Sequence, residues 1–127
     1  DTLNELNLSH NLIEKLDSNV FENLVELKAL NLSSNHIKTI PDHLLTNLER
    51  LKSLELHFNE LNFINLYYEN DLVKNLEKID LSYNKFETCQ SIQLDMLKGL
   101  KSLDLRSNKI VDFDKSIFQL INQDLHV

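Results

Sequence analysis

The chain has 127 residues, 42% hydrophobic and 26% charged, so it is long enough for one folded domain and too hydrophobic for a disordered chain. Twenty-seven residues are Leu and 16 are Asn, whereas Gly and Pro occur once each, and this scarcity of turn glycines argues against β-sandwiches and β-barrels. The net charge of −7 disfavours nucleic acid and anionic membrane surfaces as partners, and no uncharged stretch approaches the roughly 18 residues that span a bilayer.

One short pattern recurs five times along the chain, first as Leu3-Asn-Glu-Leu6-Asn-Leu8-Ser-His-Asn11-Leu-Ile13. Polar residues alternate with the leucines, so each copy predicts a short strand with its leucines on one face. A heptad coiled coil is disfavoured, because steps of three and then two residues do not sustain its a and d positions. The copies begin 24, 24, 25 and 24 residues apart, at Leu3, Leu27, Leu51, Leu76 and Leu100.

Stacking is the arrangement that buries these leucines, because a lone strand cannot cover them. We predict that the strands pair side by side, about 4.8 Å apart, into a parallel sheet backed by the returning segments. Residues 1–127 then form one domain with units 3–26, 27–50, 51–75, 76–99 and 100–123. A later apolar column packs behind the sheet and makes Cys89 a buried, unreactive thiol. That column is Leu16, Ile40, Ile64, Cys89 and Phe113.

The pattern resembles the leucine-rich repeat template L-x-x-L-x-L-x-x-N-x-L over essentially the whole chain. Ile40-Pro41 followed by Leu45 and Leu48 resembles the typical 24-residue class of extracellular animal proteins, such as Toll-type receptors, Slit-like ligands and small matrix proteoglycans. The resemblance implies an α/β-type repeat solenoid. In such a curved right-handed coil, a parallel β-sheet lines the concave face, and irregular, 3-10 or short helical segments form the convex side.

An asparagine stands at the end of each predicted strand, where the chain turns into the core. An amide side chain has both donors and acceptors, so stacked copies can satisfy the peptide groups of their own and adjacent units. We therefore predict a structural ladder of Asn11, Asn35, Asn59, Asn84 and Asn108.

The third unit departs from the pattern, because it is one residue longer and has Asn70 where the other units have Leu or Phe. We expect Leu66, Tyr67 or Tyr68 to supply the missing apolar contact in an irregular outer loop. A second binding patch in this loop is the alternative.

The residues that alternate with the core leucines form the solvent face of the predicted sheet. Acids, a histidine and aromatics gather on its last three strands, and aromatic groups beside charges are typical of interfaces. The sequence predicts a binding patch there for a protein with a basic surface. The alternative is that the acids pair laterally with Lys52, Lys78 or Arg106 and the aromatics cover the core edges. The recognition patch comprises Glu55, His57, Phe58, Asp80, Tyr83, Asp104 and Arg106.

Catalysis and cofactor binding are not expected from this pattern. Glu55, Asp80 and Asp104 fall about 5 Å apart along one column, which could suggest a carboxylate pair or a calcium site. An open sheet, however, offers no pocket to exclude water or tune acids, so we expect neither an enzyme nor a metal site.

The resemblance implies a non-catalytic protein-recognition module of an extracellular or cell-surface protein, with a Toll-like receptor ectodomain or innate-immune factor as first choice. An adhesion or matrix protein and a cytosolic scaffold are the alternatives. Asn7-Leu-Ser9 and Asn31-Leu-Ser33 are glycosylation sequons in a secreted protein, although the repeat itself tends to produce Asn-Leu-Ser. A face of five short strands is smaller than a standard interface, so we expect these units to belong to a longer array.

Overall fold

A computed structural model describes residues 2–66, 75–93 and 99–112 of the chain. Its main element is a parallel sheet of five strands, in the order β1-β2-β3-β5-β7, and each strand pairs with the one from the neighbouring repeat. The predicted parallel solenoid is therefore confirmed. The strands of this sheet are β1 (Glu5–Asn7), β2 (Ala29–Asn31), β3 (Ser53–Glu55), β5 (Lys78–Asp80) and β7 (Ser102–Asp104).

The core lies behind this sheet and is built from the leucines that define the repeat. The central residues of neighbouring strands align in register, so Leu30, Leu54, Ile79 and Leu103 form one row that is no more than 1% exposed. Burial of each such side chain contributes about 1.5–3 kcal/mol, which offsets the entropy lost when each unit becomes ordered. Stacking of the units is thus what stabilises the fold.

Asparagine side chains join each unit to the one before it. The Nδ2 group of Asn59 donates to Leu32 O at 2.9 Å in the preceding unit and to Leu56 O at 3.1 Å in its own, while its Oδ1 accepts from Ile37 N at 3.0 Å. Asn35, Asn84 and Asn108 repeat this arrangement. Asn11 differs, because it is exposed and its hydrogen bonds are to Leu8 O and Ser9 O of its own unit.

A second, smaller sheet lies on the returning segments, where β4 (Ile64–Asn65) pairs in parallel with β6 (Ile92–Gln93). This sheet does not extend to the second unit, where Ile40 and Pro41 stand one repeat before Ile64 and Asn65. Leu66 is buried and donates its N–H to Gln93 O, which makes it an apolar contact of the third unit. Tyr67, Tyr68 and Asn70 lie outside the described residues.

The predicted alignment of Cys89 with Ile64 is wrong, because Ile64 pairs with Ile92. The fourth unit uses three residues, Cys89–Ser91, for a 3-10 helix before its strand begins. The side chain of Thr88 caps this helix by accepting from Ser91 N. Cys89 is nevertheless buried, and its thiol donates to Asp112 O.

Helical structure is scarce in the described part of the chain. Within residues 2–66, 75–93 and 99–112, no helix is long and apolar enough to cross a bilayer. Turns precede β2 and β3 instead, with i→i+3 hydrogen bonds from Leu24 N to Phe21 O and from Leu48 N to Leu45 O.

Candidate functional site

The central column of the solvent face runs straight across the five strands. Strand pairing sets Asn7 beside Asn31, then Glu55, Asp80 and Asp104. These residues alternate with the buried leucines of each strand, so their side chains face away from the core. The register places three acids of the recognition patch side by side.

Four of these five side chains hydrogen-bond the backbone two residues ahead. Asp80 Oδ1 accepts from Ser82 N at 3.0 Å and from Ser82 Oγ at 2.6 Å. Asn7, Asn31 and Asp104 accept in the same way from Ser9, Ser33 and Arg106. The recurring Asn-Leu-Ser and Asp-Leu-Ser sequences therefore have a structural role, since each short side chain closes a local turn.

Two serines of these turns are withdrawn from the solvent. Ser33 and Ser82 are buried, at 2% and 3% exposure, because their hydroxyl groups donate to Asn31 Oδ1 and Asp80 Oδ1. The sequon nitrogens, Nδ2 of Asn7 and Asn31, are not the atoms engaged in these bonds.

Each acid of the recognition patch has a basic neighbour. Lys78 Nζ lies 3.5 Å from Glu55 Oε1, and His57 Nδ1 lies 3.3 Å from Asp80 Oδ2. Arg106 donates through Nε to both oxygens of Asp104 at 3.0 Å. This guanidinium hydrogen bond holds the pKa of Asp104 below its usual value. Pairing with Lys78 and Arg106 therefore reduces the local negative charge at Glu55 and Asp104 without removing these two residues from the surface.

Two aromatic side chains form the largest exposed apolar feature of the recognition patch. Phe58 and Tyr83 stack with ring centroids 4.1 Å apart and an interplanar angle of 15°, and they are 51% and 47% exposed. His57 meets Phe58 edge-on at 5.8 Å. About half of each ring therefore remains accessible to a partner.

Backbone geometry holds this pair in place. The residue before each ladder asparagine adopts a left-handed conformation, which turns the chain sharply from the strand into the core. Phe58 and Tyr83 both have φ of 53°, a conformation that costs a non-glycine residue about 1–2 kcal/mol. Stacking of the two rings contributes about 0.5–1.5 kcal/mol, which offsets part of this backbone cost. The residues at this position are His10, Ser34, Phe58, Tyr83 and Ser107.

Two ion-pair rows that sequence reasoning missed flank the sheet. Glu77 lies 3.4 Å from Lys52 and 2.9 Å from Lys101, and Glu60 lies 3.5 Å from His36 and 2.8 Å from Lys85. The repeat period could have indicated these pairs, because the paired residues are 24 or 25 positions apart and so occupy equivalent places in neighbouring units. Each row spans three successive units, so it links units along the stack.

These rows predict a loss of stability in acid. The pKa of Glu60 is lowered chiefly by its hydrogen bond to Lys85, and that of Glu77 by its bond to Lys101. A carboxylate whose pKa is lower in the folded chain than in the unfolded chain stabilises the fold fully above its ordinary pKa of 4.5. This stabilisation is lost as the pH falls through the pKa that the group has in the folded chain. We expect the urea midpoint to fall between pH 5 and pH 3, and to fall less in the Glu60→Gln/Glu77→Gln variant. Glu14→Gln, at an exposed residue, is the control; an equal effect of both variants would contradict the prediction.

The carboxylate column does not form a metal cage. Among residues 2–66, 75–93 and 99–112, no three His, Cys, Asp or Glu side chains are grouped so as to hold a metal ion. Asp80 and Asp104 direct oxygens to backbone N–H groups, and Glu55 pairs with Lys78. All three carboxylates thus make local or lateral contacts on the surface of the sheet.

Comparison with solved structures gives the same architecture. The leucine-rich repeat domain of APL1B superposes with a TM-score of 0.80 at 24% identity, covering 94% of this chain and 36% of that one. A leucine-rich repeat protein of Leptospira interrogans superposes with a TM-score of 0.76 at 30% identity, covering 98% of this chain and 32% of that one. TLR13, in its complex with ssRNA13, superposes with a TM-score of 0.67 at 31% identity, covering 80% of this chain and 15% of that one. The chain spans well under two thirds of each of these proteins.

Family models agree with the structural comparison. Leucine-rich repeat models match residues 1–61, 75–97 and 99–121, which together make up most of the chain. No curated protein matches the sequence. The matched repeats and the shared fold support a protein-interaction module, and the chain belongs to the leucine-rich repeat family.

Proposed function

We propose that this chain is a non-catalytic recognition module that binds another protein through the concave, solvent face of its five-stranded sheet. The stacked pair Phe58–Tyr83 is the observation that carries the proposal. The pair is half exposed and occupies strained backbone positions where His or Ser serves in other units. Exposed aromatic groups surrounded by polar side chains are the usual anchors of protein interfaces.

The surrounding charges favour a partner with a basic surface. The chain carries a net charge of −7, and Glu55, Asp80 and Asp104 lie in a row beside the aromatic pair. A basic partner would be attracted over distances of about 10 Å and would then compete with Lys78 and Arg106 for these carboxylates. The same charges repel a phosphate backbone, so we favour a protein over RNA even though the TLR13 structure is a complex with ssRNA13.

An extracellular or cell-surface setting completes the proposal. The support is the 24-residue spacing of most units, which resembles Toll-type receptors and related extracellular proteins.

The test is a binding experiment with the Phe58→Ala/Tyr83→Ala variant. The immobilised chain is exposed to secreted and cell-surface proteins and, in a separate arm, to single-stranded RNA. We expect proteins captured by the native chain to bind this variant at least about 30-fold more weakly, since two central aromatic anchors are removed.

The matched control is Phe63→Ala, because Phe63 is 47% exposed but lies outside the five-stranded sheet. It should capture the same proteins as the native chain. Capture that is equal for all three proteins, with the double variant still folded, would contradict the proposal, as would selective binding of RNA.

A further inference from the structure

A cavity opens on the solvent face over the first three strands, apart from the aromatic pair. Its volume is about 170 Å³. Ala29 lies in register between Glu5 and Ser53, so a methyl group and a hydroxymethyl group stand where a longer side chain would fill the space. The lining residues are Glu5, Leu6, Asn7, Ala29, Leu30, Asn31, Ser53 and Glu55.

Two carboxylates line this Ala29 cavity. Within the described part of the chain, Glu5 takes part in no ion pair. Glu55 has its cationic neighbour, Lys78, on β5, the strand on the far side of β3 from Ala29. Lys52, next to Ser53 in the chain, is already paired with Glu77. The cavity therefore presents one carboxylate, Glu5, that has no ion pair among the described residues, and a second, Glu55, whose cationic partner comes from the strand on the side away from Ala29.

Two amide groups line the same cavity with a fixed orientation. The Oδ1 atoms of Asn7 and Asn31 each accept two hydrogen bonds, from the N–H and hydroxyl groups of Ser9 and Ser33. These bonds determine which way each amide points, so the Nδ2 hydrogens are the donors left for a ligand. Donors of this kind suit peptide carbonyl groups.

We propose that the Ala29 cavity binds a lysine or arginine side chain from an extended segment of the partner protein. The aliphatic stem lies over Ala29, the cationic end pairs with Glu5 and Glu55, and the neighbouring peptide carbonyls accept from Asn7 and Asn31. This inference rests on the proposed recognition function and adds a second contact point with its own chemistry. It also explains why the partner should be basic.

The experiment is an NMR titration of the isotope-labelled chain with two blocked pentapeptides, Gly-Gly-Lys-Gly-Gly and the same peptide with norleucine in place of lysine. Norleucine keeps the aliphatic stem and removes the charge. We expect the lysine peptide to shift the amide signals of Ala29 and Asn31 and to bind about five times more tightly than the norleucine peptide. Equal binding of the two peptides, or no shifts at these residues, would overturn the proposal.

Variants separate the cavity from the rest of the face. Ala29→Leu fills the cavity and should abolish the shifts, whereas Ser102→Leu makes a similar change at the equivalent position of β7 and should not. Glu5→Gln, at an exposed residue, should weaken binding of the lysine peptide about threefold to fivefold without affecting packing. Native-like binding by both Ala29→Leu and Glu5→Gln would overturn the proposal.

Failure of the cavity and failure of the proposed function give different results. If Ala29→Leu binds the lysine peptide as the native chain does, while Phe58→Ala/Tyr83→Ala loses its captured partners, the cavity proposal is wrong and the aromatic anchor stands. If that double variant keeps every partner and the peptide still binds at Ala29, the proposed function is wrong and the cavity remains a binding site.

Discussion

Replacing Phe86 with alanine is expected to lower the free energy of unfolding by about 3–5 kcal/mol, the largest single effect we predict. Phe86 is fully buried, and it is the largest of the fully buried side chains in the described part of the core. Its loss leaves a cavity between the fourth unit and its neighbours. A domain of this size is stabilised by about 5–15 kcal/mol, so the change removes a large share of the total.

The effect should also change the shape of the unfolding curve. Each unit of a repeat protein contacts only its neighbours, so weakening one boundary lets the two parts of the stack unfold separately. We expect a broader urea transition by circular dichroism, with a lower midpoint. Phe63→Ala, at a half-exposed phenylalanine, is the control and should shift the midpoint little. Equal shifts for the two variants would show that Phe86 does not hold the stack together.

The large sheet could be predicted because the apolar residues that define its strands recur in every unit. Leu6, Leu30, Leu54, Ile79 and Leu103 recur at nearly constant spacing, and a slip of one residue would turn each of them toward water. This cost fixes the register strongly. Because the same register also sets the alternating polar positions, the leucine spacing alone was enough to predict that Glu55, Asp80 and Asp104 share one column.

The returning segments were less predictable, because their apolar positions are sparser and their length varies. Cys89 and Ile92 are both apolar, and both are buried, so spacing alone did not show which would align with Ile64. The hydroxyl of Thr88 stabilises a 3-10 turn at Cys89 and moves the strand to Ile92. The repeat period did not determine which residue pairs with Ile64, and a local capping contact at Thr88 decides it.

The site illustrates the same limit. The sequence brought Phe58 and Tyr83 to neighbouring strand ends, but their stacking depends on a left-handed backbone that side-chain alternation does not reveal. The burial of Ser33 and the cavity at Ala29 depend on side-chain length and hydrogen bonding in three dimensions. An alanine in a column otherwise occupied by larger or polar residues was the signal that could have indicated the cavity.

Replacing Asn59 with leucine is expected to lower the free energy of unfolding by about 2–3 kcal/mol. The amide of Asn59 joins two units through Leu32 O and Ile37 N and also binds Leu56 O in its own unit. The side chain is only 7% exposed, so water cannot readily replace these bonds. Each buried peptide group left without a partner costs about 1–3 kcal/mol, and the added apolar contacts of leucine recover part of this.

The first asparagine of the ladder provides the matched control. Asn11 is exposed and binds only carbonyls of its own unit, so Asn11→Leu should cost less than about 1 kcal/mol. Urea unfolding of both variants, followed by circular dichroism, measures the difference. A similar loss in both would mean that the asparagines act through their local turns, whereas a large loss at Asn59 alone would locate the stabilisation in the bonds between units.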